Sequence, residues 1–335
     1  MKELNMEGSP IRFGIIGFGR FAERTILPAL RASGVAEAIA LQKRSQKEAD
    51  AKAREYGVPY AFHRAADLVR HPEVDAVFIV SANAAHCAET LAAAAAGKHV
   101  LVEKPMAATV AQAQKMIRAC RSARVKLMVG HMVRLSPVIV RMKQLIAEGS
   151  IGSLVHVHAE FFYDHRFSHR RWMFDRKVAG GGPVHDIGVH CLDTIRSIVA
   201  DKVRTVRGVV SPAPNAKRTE TTSAASIVFQ KGVTASIYSS FAGPYRRSFI
   251  EVRGTDATLS AFDFTKSGVQ VNLHIVRANN GEPLPPVVEP ISVPDLYAEE
   301  IRLFVDSIRT RTDPPISGEE GLINQKILDQ MLRPR

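Results

Sequence analysis

Cysteine is scarce in this chain. The three present among 335 residues, Cys87, Cys120 and Cys191, lie far apart and form no C-x-x-C spacing. That excludes a disulfide-stapled secreted scaffold and fits a reducing compartment. No H-E-x-x-H or Cys/His metal spacing accompanies the histidines, so no metal is expected. Carboxylates are also in short supply: 33 Asp and Glu stand against 45 Lys and Arg, a formal net charge of +12. Such a surplus attracts anions in general. The basic residues are mostly scattered, however, with local clusters only at 166–171 and 246–247. No helix-turn-helix or zinc-finger pattern goes with them, and no nucleic-acid partner is expected. Long apolar runs are missing as well. None approaches the ~20 residues of a membrane-spanning helix, and "MKELNMEGSP" lacks the apolar region of a signal peptide. The expectation is a cytoplasmic protein with no membrane partner.

What remains is an ordinary globular composition, 46% apolar and 23% charged, in a chain long enough for two domains. The first half alternates strand and helix signals. Residues 11–16 form a short apolar run of the kind a buried parallel strand shows. Gly17, Gly19 and Ala22 follow as the G-x-G-x-x-A variant of the dinucleotide fingerprint, and Phe21, Ile26, Leu27 and Leu30 continue at helical spacing. Gly17 serves a tight turn, and Gly19 offers bare backbone for a pyrophosphate, toward which the helix start aims its N–H groups. Phe18, Arg20 and Phe21 belong to the same loop. Further strand-like runs recur at 36–41, 76–81, 99–102 and 126–129, with helices over 46–56, 84–96 and 110–122 between them. Alternation of this kind predicts a parallel sheet covered on both faces, a doubly wound Rossmann domain over residues 10–133.

The second strand runs into "LQKRS". An NAD site usually places Asp or Glu here for the ribose 2′-hydroxyl, whereas an arginine accommodates the 2′-phosphate of NADP. Lys43, Arg44 and Ser45 occupy the place and no carboxylate follows until Glu48. NADP(H) is therefore expected in preference to NAD(H).

Past "GHMVRLSP" the texture changes. A helix over about 138–148 leads into period-two runs such as "LVHVHAEFFY", "TTSAASIVFQ", "VTASIYSSFA" and "SFIEVRG". They predict an α+β domain over 134–335 with an open, mainly antiparallel sheet, closed by two amphipathic helices that pack back on the Rossmann domain. "NNGEPLPPVVEP" reads as a proline-rich surface connector. Before that sheet stands "GGGPVHDIGVH", residues 180–190. Pro183 suits a first helical turn, and Asp186 and His190, four apart, would then share one face. Such a pair is either an acid–base couple at work or a buried hydrogen-bonded contact.

The chain resembles the glucose–fructose oxidoreductase / inositol dehydrogenase / MocA (Gfo/Idh/MocA) family from about residue 11 to 332. The resemblance is carried by "GIIGFGRFA", "VDAVFIVSANAAH", "AGKHVLVEKPMA", "GHMVRLSP" and "GGGPVHDIGVHCLD". It implies reversible hydride transfer between a nicotinamide and a carbinol of a sugar, sugar derivative or cyclic polyol. It also implies a homodimer or homotetramer assembled through the C-terminal sheet. Lys104 of "EKP" matches the family's catalytic lysine, with Glu103 beside it, and Asp186 and His190 match its aspartate and proton-transferring histidine. Ser81, Asn83 and His86 match a loop running beside the cofactor, although Ser81-Ala82 replaces the usual Thr-Pro. Trp172 matches a tryptophan near the cofactor. The arginine that often follows it is Met173 here, so that contact either falls to Arg170 or Arg171 or is absent. His131, Arg134, Tyr163, Arg171 and Tyr297 are further substrate candidates.

The residue types suit the reaction. Hydride leaves a carbinol carbon as its hydroxyl proton departs, which calls for a base neutral near pH 7, and imidazole, with an ordinary pKa near ~6.5, supplies one in His190. A fixed ammonium, Lys104, stabilises the alkoxide-like oxygen. Asp186 can hold either partner in place, and Asp193 one turn on is a second orienting group. Two other readings stand beside this one: a glycoside hydrolase of the same fold that uses nicotinamide transiently, and a non-catalytic NADP-binding regulator. An exchangeable cofactor separates the first from the hydrolase. Retention of Lys104, Asp186 and His190 argues against the regulator.

Overall fold

The structure is a computed structural model that describes residues 8–333. The chain divides into two compact units, one formed by residues up to Gly130 together with Tyr297–Gln325, the other by His131–Leu296 with the residues from Lys326 onward. Among the described residues no helix is long and apolar enough to cross a membrane.

In the first unit, β1 (Ile11–Ile16), β2 (Ala36–Gln42), β3 (Tyr60–Phe62), β4 (Ala76–Ile79), β5 (His99–Glu103) and β6 (Leu127–Gly130) form one sheet. Its order is β3-β2-β1-β4-β5-β6 and every pairing is parallel. The connecting helices are α1 (Leu27–Ser33), α2 (Gln46–Tyr56), α3 (Ala65–Arg70), α4 (Asn83–Ala95) and α5 (Val110–Ala123). This is the doubly wound arrangement, whose strand order reverses between β1 and β4 and so opens a ligand crevice at their carboxyl ends. Burial on both faces explains why β1 and β4 read as unbroken apolar runs. Local chemistry sets the helix ends. The Ser45 hydroxyl caps α2 by accepting from the Glu48 N–H, and Gly57 at φ +65° releases it. The short edge strand β3 and helix α3 escaped the sequence reading, because three half-buried residues carry no measurable period.

The second unit starts with α6 (Pro137–Ala147), continues through α7 (Arg176–Ala179) and α8 (Val189–Val199), and is built on a nine-stranded sheet. Its strands are β7 (Leu154–Asp164), β8 (Val203–Ser211), β9 (Thr222–Phe229), β10 (Thr234–Ser240), β11 (Ala242–Gly254), β12 (Ala257–Phe262), β13 (Val269–Asn279), β14 (Glu282–Pro283) and β15 (Val287–Val293). Neighbours run β14-β13-β12-β11-β7-β10-β9-β8, with β15 also on β13. Only β7 and β10 pair parallel; the remaining pairs are antiparallel. Alternation along β7 buries Val157, Ala159 and Phe161 on the face that meets α8, while His156, His158, Glu160 and Phe162 lie on the other face.

The expected proline-rich connector at 279–290 is a correction. Asn280 and Gly281, both at positive φ, turn the chain, and Val287–Val293 then pairs along β13 with Pro290 opposite Asn272. Proline is tolerated because β15 lies at the sheet edge, where a missing N–H leaves no ladder bond unmade. Two more helices follow, α9 (Leu296–Arg309) and α10 (Gly318–Met331). In the first unit, α9 sets Phe304 against Phe13, ring centroids 6.1 Å apart.

Candidate active site

The dinucleotide loop is held from β2. Gly17 sits at φ +86°, and a Cβ there would come within 2.6 Å of the Ser81 backbone, so only glycine fits. Its N–H donates to Oε1 of Gln42 at 3.1 Å, and the Gln42 amide donates in turn to the His63 carbonyl at 3.0 Å. Gln42 went unnoticed in the sequence, since nothing local marks the last residue of a strand as a loop brace. Around Gly19 the space is open, its nearest would-be contact being the Gly17 carbonyl at 3.9 Å. That open cradle is what the pyrophosphate of a dinucleotide requires, so these residues fit the group. Arg20 and Phe21 are exposed, and the Phe21 ring meets Tyr297 edge-on at 5.7 Å. Tyr297 thus joins this loop from the start of α9.

Beyond β2, Lys43 is already engaged. Its ammonium donates to the Phe18 carbonyl at 3.2 Å and lies 3.6 Å from Glu48. Ser45 is occupied as the cap of α2. Arg44 is exposed and makes no hydrogen bond or ion pair with another described residue.

Ser81 donates to Oε2 of Glu89 at 2.5 Å, and Asn83 is the buried first residue of α4. His86 is fully buried, with Nδ1 3.1 Å from the Pro105 carbonyl and Nε2 3.1 Å from the Ser81 carbonyl. The imidazole braces the Ser81 loop against the segment after Lys104 from inside the unit. Glu103, buried at the end of β5, accepts from the Lys104 N–H at 3.0 Å.

In the second unit the glycine run enters a π-helical turn, Val184–Gly188, which continues directly as α8. A Cβ on Gly182 would strike the Glu220 carbonyl at 2.1 Å, and Oε1 of Glu220 accepts from the Val184 N–H at 3.1 Å. Glu220, fully buried just before β9, holds the start of this helix, and burial pushes its carboxyl up. Two turns of helix bring Asp186 and His190 against one face of β7. The Tyr163 hydroxyl donates to Oδ2 of Asp186 at 2.8 Å, and the His190 ring lies 6.2 Å from that of Phe161.

Arg170 forks onto Asp186 through Nη1 at 2.9 Å and Nη2 at 2.8 Å, and also donates to the Tyr163 hydroxyl at 3.0 Å. Of the two arginines near Trp172, it is Arg170 that reaches Asp186. Arg171 is exposed, with one long bond to the Arg166 carbonyl. The Asp186 charge raises Arg170 further above its ordinary value, while burial and that same charge raise the Tyr163 hydroxyl. Both therefore remain protonated donors. Trp172 sits in the short turn after Arg170.

Asp193, one turn on, holds Arg134 in a bidentate pair, with Nδ1 of His131 3.9 Å from Oδ1. Arg134 is thus tied to the helix that carries His190. Among the described residues no group of His, Cys, Asp and Glu stands together as a metal site.

Burial lowers His86, His99 and His185 to about 4 each. The unfolded chain then takes up protons below about 6.5 that the fold refuses until about 4. Stability should be complete above the unfolded value and fall as pH drops through that window. Urea midpoints measured between pH 7 and pH 4 should decline, and His185→Gln should flatten the decline. A flat wild-type profile would contradict it.

The chain is similar to known proteins along nearly its whole length. Residues 11–131 match the family described as an oxidoreductase family with an NAD-binding Rossmann fold, and residues 139–260 match the GFO/IDH/MocA C-terminal domain. The chain is 32% identical to a 1,5-anhydro-D-fructose reductase of Ensifer adhaerens, covering 93% of this chain and 92% of that one. It is 28% identical to an NADP(+) D-xylose 1-dehydrogenase of Haloarcula marismortui, covering 96% and 90%. The crystal structure of an aldose-aldose oxidoreductase from Caulobacter crescentus, complexed with glycerol, superimposes with a TM-score of 0.85 at 26% identity, covering 97% and 98%. With both of its domains matched and a relative this similar along nearly its whole length, the chain belongs to the Gfo/Idh/MocA family of oxidoreductases, as an NAD(P)-dependent dehydrogenase or reductase.

Proposed function

We propose that this enzyme transfers a hydride between NADP(H) and a carbinol or carbonyl carbon of a sugar, sugar derivative or cyclic polyol. The observation that carries the reading is the placement of Asp186 and His190 on one face of β7, with Asp186 immobilised by Arg170 and Tyr163. The sugar-acting relatives support the substrate class. When bound, the nicotinamide supplies or accepts the hydride. Gly17 and Gly19 leave room for the pyrophosphate, and Arg44, unengaged at the end of β2, receives the 2′-phosphate. Ser81, Asn83 and Trp172 belong to the segments beside it. His190 takes the hydroxyl proton during oxidation and returns it during reduction, while Lys104 stabilises the charge on the same oxygen. Asp186 and its two donors orient the substrate hydroxyls. The protein works in the cytoplasm as a homo-oligomer joined through the outer face of the second sheet, where Phe262 is 48% exposed and Tyr245 56% exposed.

The reading is tested by dialysing the protein, adding NADP⁺ or NAD⁺, and following nicotinamide reduction over a panel of sugars and inositols. Release of cofactor on dialysis and its stoichiometric reduction by a sugar are the expected results. Arg44→Ala should weaken NADP⁺ binding by roughly 10- to 100-fold, the worth of a charge-assisted contact, and change NAD⁺ affinity little. A wild type that binds NAD⁺ at least as tightly as NADP⁺ overturns the cofactor assignment.

A further inference from the structure

Strand β11 leaves the register of its partner at one place beside the site. Arg247 stands opposite Phe162 and Ala242 opposite Asp164, so residues 243–246 all face the single residue Tyr163. A strand that gains residues against its neighbour bends and re-aims side chains. Here the excursion sends two large side chains to opposite faces of the sheet. Tyr245 meets Phe162 at 5.7 Å on the outer face, the two rings tilted by 60°. The guanidinium of Arg246 goes to the inner face, 5.1 Å from the centre of the Phe161 ring. Phe161 is the ring that also meets His190, and Tyr163 on the same face holds Asp186.

Arg246 is exposed and has no hydrogen bond or ion pair with another described residue. The carboxylates of this part of the unit are already taken: Glu160 by Arg247, Asp164 by Arg166, Asp186 by Arg170. What remains is a guanidinium over an aromatic ring, with its fork of donors unused. The one Phe161 ring thus lies 5.1 Å from the Arg246 guanidinium and 6.2 Å from the His190 imidazole, so both groups border the same aromatic side chain.

We propose that Arg246 is a specificity-determining residue that binds an oxyanion on the substrate, a carboxylate or a phosphate, at the end remote from the reacting carbinol. The inference rests on the sugar or polyol reading above and narrows it to acidic sugars. A planar guanidinium matches either group with two parallel charge-assisted hydrogen bonds, whereas a hydroxymethyl group offers a single uncharged oxygen. The contact with the Phe161 ring restrains the guanidinium before the ligand arrives, which lowers the entropy lost on binding.

The test uses the full-length enzyme with saturating NADP⁺ and three ligands of matched skeleton: glucose, glucuronate and glucose 6-phosphate. Turnover is followed by nicotinamide absorbance, and binding separately by calorimetry. The wild type should prefer one acidic ligand over glucose by about 10- to 100-fold in kcat/KM and in Kd, the worth of a charged hydrogen-bond pair. Which acidic ligand is preferred identifies the oxyanion. Arg246→Ala should collapse the acidic-to-neutral ratio toward one, Arg246→Lys should restore part of it, and added salt should erode it in the wild type. An equal preference for glucose in the wild type, or a ratio unchanged in Arg246→Ala, overturns the proposal. The calorimetric arm separates it from the broader reading. Acidic-ligand binding that depends on Arg246, without turnover of any sugar, sinks the dehydrogenase assignment and leaves Arg246 standing. Turnover of neutral sugars with no charge preference does the reverse.

Discussion

Replacing His190 by alanine should slow oxidation of the preferred sugar or polyol by about 10²–10⁴-fold, the usual worth of a positioned general base. The reasoning is local and chemical. The helix that opens at Val184 and continues as α8 is fastened at its start by Glu220 and at Asp186 by Arg170 and Tyr163. The imidazole one turn later is therefore carried on a rigid element, with Phe161 beside it. In the oxidation direction the base must be neutral to accept the hydroxyl proton, so the wild-type rate should rise with pH as the imidazole loses its own proton. In the reduction direction the same group must arrive protonated, and the slope reverses. Both pH limbs should disappear in His190→Ala, because the group that titrates is gone. A variant that keeps most of the wild-type rate with an unchanged pH profile reduces the pair to a buried contact. Cofactor binding is the control, since this residue lies in the unit that does not carry the dinucleotide loop.

Lys104→Met should lower kcat/KM by about 10²–10³-fold, the range found when a donor to a developing oxyanion is removed. Methionine keeps the length and most of the volume of the lysine stem, so the change isolates the charge. Lys104 follows directly on β5, where its backbone N–H is held by the Glu103 carboxylate. Its backbone position thus does not depend on the ammonium. The interaction strengthens as the substrate oxygen gains charge, so the loss belongs in the transition state. Calorimetry should show NADP⁺ affinity within a few-fold of wild type. Near wild-type kcat/KM removes the lysine from the mechanism. An equal loss of NADP⁺ affinity would mean that it serves the cofactor instead.

The two variants act on different parts of the chain, and those parts were not equally readable. The Rossmann half announces itself residue by residue. An apolar run, the turn glycine Gly17, the capping Ser45 and the releasing Gly57 are signals that act within a few positions of themselves. Helix α2 accordingly begins and ends where its sequence says. Edge elements did not announce themselves. β3 is too short to show alternation, and the stretch after Asn280 looked like a connector because its prolines are forbidden in a central strand but allowed at a margin.

By itself the sequence determined the fold class, the glycine cradle and the missing acid after β2, and its resemblance to the family singled out Lys104, Asp186 and His190. The first three depend on residue type and on spacings of a few residues, which elementary sterics and helix or strand periods translate directly. Only the tertiary structure decided how those groups are held and what lies around them. Gln42 reaches Gly17 across 25 residues, Arg170 reaches Asp186 across 16, and Glu220 reaches Val184 across 36. Arg246 owes its place over Phe161 to a break in register between β11 and β7. No local pattern encodes such partners, because they follow from which strands pair and which carboxylates burial leaves for each arginine. Packing therefore chose Arg170 over Arg171, made His86 a brace, and left Arg44 and Arg246 unengaged.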